Sequence, residues 1–81
     1  MRVHVKLFAQ LRDTAGTGDL ALDVEQDATV GQVWQALVAA HSALAPFDAS
    51  VSCAVNATYA KKHTSVNAGD EVAFLPPVSG G

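Results

Sequence analysis

The sequence contains a single cysteine, Cys53, among 81 residues. An internal disulfide and a CxxC zinc motif each need two thiols and a four-thiolate cluster needs four, so all three are excluded within this chain. The three histidines, His4, His41 and His63, are scattered without the spacing of metal ligands. The sequence therefore predicts no metal site.

Positive charge is also scarce, with five lysines and arginines against eight aspartates and glutamates and a net charge of −3. The longest basic run is Lys61-Lys62. Because nucleic acids and anionic membranes are bound through clusters of basic side chains, neither is expected as a main partner.

Long apolar runs are missing as well. None approaches the roughly 18 residues that cross a bilayer. Polar and apolar residues alternate from Met1 to Lys6, unlike the start of a signal peptide. We therefore expect one small cytoplasmic domain, because two domains would need about twice this length.

What the sequence does contain is a series of short alternating apolar segments, typical of half-buried strands. The core-facing residues of these segments share a spacing of two: Val3, Val5 and Leu7; Leu20, Leu22 and Val24; Val51, Cys53 and Val55; and Val72 and Phe74. Cys53 is then interpreted as a small buried apolar residue. A short further strand is expected around Tyr59-Ala60, and turns are expected at 13–19 and 67–70.

One amphipathic helix is predicted between these strands. Thr29 can cap it and Gln32, three residues later, completes a capping-box pattern. Apolar residues then follow at helical spacing up to about His41: Val30, Val33, Trp34, Leu37 and Val38. The order of elements, ββαβ(β)β, predicts an α+β domain over residues 1–75 with its main helix packed on one face of the sheet.

After the last predicted strand comes a six-residue tail, 76–81. Pro76-Pro77 favours a stiff, extended exit, whereas Gly80-Gly81 has no side chains and broad conformational freedom. Fully extended, the tail reaches about 20 Å and ends in a carboxylate with a pKa near 3.5, a poor electrophile when ionised. Gly16-Thr17-Gly18 lacks the frame of a phosphate-binding loop, so any ATP-dependent activation of this carboxylate would belong to a partner.

Two segments resemble a known family. The run Gly69-Asp70-Glu71-Val72-Ala73, followed by Pro76-Pro77-Val78-Ser79-Gly80-Gly81, resembles the C-terminal signature of the small subunit of molybdopterin synthase (the MoaD family). The segment 5–12, VKLFAQLR, resembles the opening strand of the same family, and Thr29-Val30 and Val55-Asn56 also fit. Val66, where a leucine is usual, and the basic segment 61–63 are minor departures.

The resemblance implies a ubiquitin-like β-grasp fold, with a mixed sheet and one main helix, and a sulfur-carrier function. A ubiquitin-activating-like adenylyltransferase would use ATP to adenylate the C-terminal Gly81, which would then become a thiocarboxylate. The large subunit of a heterotetrameric molybdopterin synthase would take up the tail, with Gly80 permitting passage. The sulfur would be delivered to cyclic pyranopterin monophosphate. The carrier itself would bind no cofactor and would not be catalytic alone.

An interaction surface is expected beside the tail. If the first and last strands pair, as the resemblance implies, Phe8, Ala73 and Leu75 would form one exposed apolar patch. The expected partner-binding residues are Phe8, Arg12, Tyr59, Leu75, Pro76, Pro77, Val78 and Ser79. Burial beneath loops is the alternative for the apolar members, and an ordinary solvated side chain is the alternative for Arg12.

Other functions remain open. A carrier for thiamine synthesis or tRNA thiolation, or a ubiquitin-like protein modifier, would share this tail. A β-grasp interaction domain whose terminal glycines have no role is the alternative from another class.

Overall fold

The computed structural model describes residues 1–77 of the chain. Its elements follow in this order: β1 (Arg2–Leu7), α1 (Ala9–Ala15), β2 (Asp19–Asp23), α2 (Val30–Ala40), a 3-10 helix (Ser42–Phe47), β3 (Ser52–Val55), β4 (Thr58–Ala60) and β5 (Glu71–Leu75). Within this part of the chain, every helix is too short or too polar to traverse a bilayer.

The five strands form one mixed sheet in the order β2-β1-β5-β3-β4. β1 and β5 lie side by side and parallel in the middle of the sheet, whereas the other neighbours are antiparallel. The expected pairing of the first and last strands is confirmed. The expected α+β architecture is confirmed as well, because α2 packs its buried side chains against one face of the sheet.

The core lies between α2 and that sheet face. From the sheet it receives the alternating residues that the sequence indicates, among them Val3, Val5, Leu7, Val72 and Phe74, each at most 2% exposed. From α2 it receives Val30, Val33, Trp34 and Leu37. The rings of Trp34 and Phe74 lie 5.0 Å apart and tilted, a favourable aromatic geometry. The indole Nε1 of Trp34 donates to Asp48 Oδ1 at 2.5 Å, so this large side chain buries no unpaired donor.

The start of α2 carries the predicted capping box. The backbone N–H of Gln32 donates to Thr29 Oγ1 at 3.3 Å, and the backbone N–H of Thr29 donates to Gln32 Oε1 at 2.8 Å. These two bonds satisfy backbone donors that a helix start otherwise leaves without partners. α2 ends at Ala40, one residue before the predicted limit, and Pro46 lies in the 3-10 helix that follows.

The prediction of a turn at 13–19 is wrong for the first half of that range, because the chain forms the additional helix α1 there. Good helix formers run from Ala9 to Arg12, and Leu11 buries completely against the core. Gly16 ends the helix in the left-handed conformation, with φ 78°, and its N–H donates to the Arg12 carbonyl at 2.9 Å. A single buried residue in seven is too weak a pattern to reveal so short a helix in the sequence.

The predicted turn at 67–70 is confirmed. The backbone N–H of Asp70 donates to the Asn67 carbonyl at 3.0 Å, and Gly69 adopts φ 83°. Asp70 Oδ2 accepts from the Asn67 N–H, and its Oδ1 accepts from the side chain of Asn56. These bonds direct the chain into β5 and therefore set where that strand begins beside β1.

The capping box yields a stability prediction. We expect Thr29→Ala to lower the free energy of unfolding by about 1 kcal/mol, because the helix start loses its side-chain acceptor. In a domain of this size the melting temperature should fall by about 4–8 °C. Thr29→Ser retains the hydroxyl and is the control. Equal losses for both variants, measured by thermal and urea unfolding, would contradict the capping role.

Candidate protein-interaction face

Because β1 and β5 pair in parallel, the C-terminal ends of both strands lie at the same end of the sheet. Leu7 lies beside Phe74 as the final registered pair. The next residues are therefore Phe8 on one strand and Leu75 on the other, both on the face opposite the core. Pro76 and Pro77 then lead away from β5. The tail thus begins beside Phe8, as the sequence analysis predicts.

Phe8 is held outward by the backbone around it. It continues β1 in extended conformation, with φ −122° and ψ 152°, and is 44% exposed. Ala9, with φ 50°, then turns the chain into α1. A positive φ is unfavourable for alanine, so tertiary structure determines this turn rather than local preference. Leu75 is half-buried and lies opposite Ser52 of β3.

A single row of residues crosses the open face of the sheet. Tyr59 lies opposite Ala54, Ala54 opposite Ala73, Ala73 beside Lys6, and Lys6 opposite Asp19. Tyr59, at 80% exposed, stands at the edge of the row, while the alanines form a shallow centre. We call Phe8, Leu75, Tyr59, Ala54 and Ala73 the apolar face.

The expectation that Ala73 is exposed is wrong, because it is only 9% exposed. A single methyl group on a central strand is shielded by the strands on either side. Ala54, which the sequence analysis does not single out, is shielded to the same extent. The accessible parts of the apolar face are therefore Phe8 and Tyr59, with Leu75 half-exposed between the proline stem and β3.

The other half of the open face, on β1 and β2, is charged. Arg2 Nε pairs with Asp23 Oδ1 at 3.2 Å, and Lys6 Nζ pairs with Glu71 Oε2 of β5 at 3.8 Å. His4 contacts Asp19 through a hydrogen bond. The hydrogen bond from Arg2 holds the pKa of the Asp23 carboxyl below its ordinary value. A partner that docks here meets an apolar half and a charged half, a common composition for protein interfaces.

Arg12 lies at the same end of the molecule as Phe8, in the last turn of α1, and is exposed. Its side chain passes close to Gly18, where an added Cβ would come within 2.8 Å of Arg12 Cδ. Within residues 1–77, no acidic side chain forms an ion pair with Arg12. Its guanidinium is therefore available to an acidic group of a partner, and its role as a binding residue stays a prediction.

Cys53 lies inside the core, as expected. It is 5% exposed, and burial raises the pKa of its thiol, although Lys62 opposes this effect. A buried thiol with a raised pKa is a poor nucleophile. Among the described residues, no group of three or more potential ligands could hold a metal ion.

The structure brings together most of the predicted interaction residues. Phe8, Leu75 and the half-buried Pro76 share one end of the sheet, and Pro77 is exposed. Tyr59 lies on the same face but on the edge strand β4. Val78, Ser79, Gly80 and Gly81 lie outside the described residues.

Comparison with known proteins identifies the family. The model of the ThiS family matches residues 5–81. The chain belongs to the ThiS family. Among relatives of this chain, small archaeal modifier protein 1 of Haloferax volcanii is 41% identical, over 94% of this chain and 97% of that protein. The molybdopterin synthase sulfur carrier subunit of Escherichia coli is 39% identical, over 98% and 99%.

Solved structures agree with this assignment. The crystal structure of the Haloferax volcanii modifier superposes on this chain with a TM-score of 0.89 at 39% identity, covering all of both chains. The ubiquitin-like β-grasp fold implied by the resemblance is thereby confirmed. Full-length similarity to synthase subunits confirms the resemblance to the MoaD family. This chain is therefore a ubiquitin-like sulfur carrier of the ThiS/MoaD type.

The exposure of Tyr59 yields a second prediction. We expect Tyr59→Leu to change the free energy of unfolding by less than about 0.5 kcal/mol, because this ring is largely solvated. Phe74→Leu, the same type of change in the core of the same sheet, should cost about 1–3 kcal/mol through lost packing. Urea unfolding measures both, and a similar cost for Tyr59→Leu would show that its ring is structural.

Proposed function

We propose that this protein is the sulfur-carrying small subunit of a heterotetrameric molybdopterin synthase. The observation that carries the proposal is the full-length similarity to the Escherichia coli sulfur carrier subunit, in a chain that ends in Gly80-Gly81. The structure supports it by starting the proline stem beside an exposed phenylalanine, where a partner could hold the sheet and receive the tail together.

Activation of Gly81 is the first step of the proposed cycle. Its carboxylate oxygen attacks the α-phosphorus of ATP on an adenylyltransferase and releases pyrophosphate. The product is a mixed anhydride, so the carbonyl carbon becomes electrophilic. ATP is bound by the adenylyltransferase, because the carrier sequence has no phosphate-binding loop.

Sulfur loading follows on the same carbonyl. The terminal sulfur of a persulfide attacks the carbon and AMP leaves. A second thiol then reduces the resulting acyl disulfide, which forms a disulfide on the donor and leaves a thiocarboxylate on Gly81. This anionic sulfur is a strong nucleophile, and shielding it from water inside a partner would protect it from hydrolysis.

Delivery to cyclic pyranopterin monophosphate takes place in the large synthase subunit. The glycine end fits a channel too narrow for side chains, while Phe8, Leu75 and the proline stem contact the channel mouth. Acid-base groups come from the large subunit. Each delivery ends with water restoring the Gly81 carboxylate. Two sulfurs are needed for each dithiolene, so two carrier turns are needed per product.

A second candidate is a protein modifier. It is favoured by the 41% identity to small archaeal modifier protein 1, which slightly exceeds the identity to the synthase subunit. In this case a neutral lysine amine attacks the same activated Gly81 carbonyl, AMP leaves and the nitrogen loses a proton, which forms an isopeptide bond. Carriers for thiamine or tRNA thiolation would differ from the first proposal in the acceptor of the sulfur.

Deletion of Gly81 tests the carrier function. We expect intact-mass spectrometry of the full-length protein from cells to show a sub-population in which one oxygen is replaced by sulfur. The deletion variant should lack this species and fail to support molybdopterin formation by the reconstituted synthase. Its unfolding free energy should be unchanged, because β5 ends at Leu75.

The products distinguish the two candidates. Molybdopterin formed with a large synthase subunit supports the first proposal. Isopeptide-linked lysines on other proteins, without molybdopterin formation, support the modifier. Full synthase activity of the Gly81 deletion would refute both mechanisms.

Substitution of Leu75 tests the interaction face. We expect Leu75→Asp to weaken binding to the large subunit by at least about tenfold, since a charge would enter a desolvated contact. Stability should fall by less, about 1 kcal/mol, because the side chain is only half-buried. Val55→Asp, also half-buried but packed on the core side, is the control expected to lose more stability. Calorimetric titration and urea unfolding of both variants decide between these outcomes.

A further inference from the structure

A second potential binding element is the outer edge of β2. Met1 and Val24 exchange backbone hydrogen bonds, and the Leu7 N–H donates to the Gly18 carbonyl. Because such pairs alternate along an antiparallel ladder, Ala21 and Asp23 direct their N–H and C=O groups away from β1. Within residues 1–77, no strand covers this edge, because β2 is the first strand of the sheet order.

A groove adjoins this edge on the helix side of the sheet. It measures about 610 Å³ and is lined by residues that include Met1, Val24, Gln32 and Ala36. Leu20 and Leu22 of β2 point to the same side and are only partly buried against the core. Edge and groove together present unpaired backbone groups beside apolar side chains, the combination that an added β-strand requires.

The helix wall of the groove is free of charge. All eleven residues of α2 are uncharged, although 16% of the chain is charged. Ala36 and Gln32 form the wall, so a strand could approach α2 without meeting a long charged side chain.

The chain that borders the groove after β2 is acidic. Glu25 lines the groove, Asp27 follows two residues later, and residues 19–27 contain no lysine or arginine. The side chains of Asp19 and Asp23 point instead to the open face of the sheet, where they contact His4 and Arg2. A basic occupant would meet complementary charge at Glu25 and Asp27. A second copy paired about Ala21 would place Asp19 opposite Asp23 of that copy, and like charges directly opposite each other destabilise a strand pair, so a basic occupant is favoured over self-association.

We propose that the edge of β2 and the adjoining groove bind an extended segment of a partner polypeptide as an added antiparallel strand. The segment carries alternating apolar residues flanked by lysine or arginine. Its backbone pairs with Ala21 and Asp23, its apolar side chains enter the groove, and its basic ends meet Glu25 and Asp27.

The edge of β2 and its groove lie apart from Pro76, where the tail begins. β2 is antiparallel to β1, so the groove residues Asp23 to Gln26 lie at the end of the sheet opposite Phe8 and Pro76. A partner could therefore hold the carrier by β2 while the C-terminus is inside an enzyme. The inference does not depend on which acceptor receives the sulfur.

The test is a titration of isotope-labelled full-length protein with the capped peptide KTVIVTK, followed by amide NMR shifts. We expect saturable changes at residues 20–25 and along one side of α2, with a Kd in the micromolar to millimolar range. The charge-reversed peptide ETVIVTE should bind about tenfold more weakly, and added salt should reduce the difference.

Two variants address the backbone and the groove separately. Ala21→Pro removes one outward N–H but no ladder bond to β1, and should weaken binding about fivefold. Ala36→Arg fills the groove and repels the basic ends, and should weaken it about tenfold. Gln35→Arg adds the same charge to an exposed position about 100° around the same helix from Ala36 and is the matched control, expected to retain most of the affinity. Melting curves verify that each variant is folded.

Several results would overturn the proposal. Shift changes confined to the apolar face around Tyr59, or no saturable change at millimolar peptide, would each do so. So would equal weakening by Ala36→Arg and Gln35→Arg, which would indicate charge attraction without a groove. Concentration-dependent dimerisation through β2 would assign the edge to a second copy instead.

Discussion

The parallel pairing of β1 with β5 is the contact on which the other features depend. These strands are separated by most of the chain, yet their register places Leu7 beside Phe74 in the core. The same register places Phe8 beside the exit of β5, so a single alignment determines both the buried ladder and the position of the tail stem. A shift by one residue would turn the core residues of β5 to solvent and Leu75 inward.

The two faces of the sheet differ in composition and exposure because strand side chains alternate. The inner face is apolar and is covered by α2, which supplies Trp34 to the ring of Phe74. The open face carries small residues in its centre, with Tyr59 and Phe8 at its margins. The core residues of these strands and the proposed recognition residues are therefore different side chains, so we expect each set to tolerate change with limited effect on the other.

The chemistry of a sulfur carrier places few demands on the domain itself. In the proposed cycle, the reacting carboxyl is that of Gly81, and partners supply the activating ATP and the acid-base groups. The domain must present the tail beside a recognisable surface and keep its own thiol unreactive, as the burial of Cys53 does. The uncovered edge of β2 provides a further contact at the opposite end of the sheet.

Local patterns in the sequence were sufficient for the strands and for the capping box at Thr29, because each depends on residues close together in the chain. The helix α1 could not be predicted, since its single fully buried residue, Leu11, is stabilised by the core rather than by helical periodicity. The shielding of Ala73 and the row from Tyr59 to Lys6 also required the tertiary structure, because they depend on strand order and on neighbours distant in sequence. The register of β2 with β1 decides which backbone groups of β2 face outward. The alternation of residues along one strand does not specify that register.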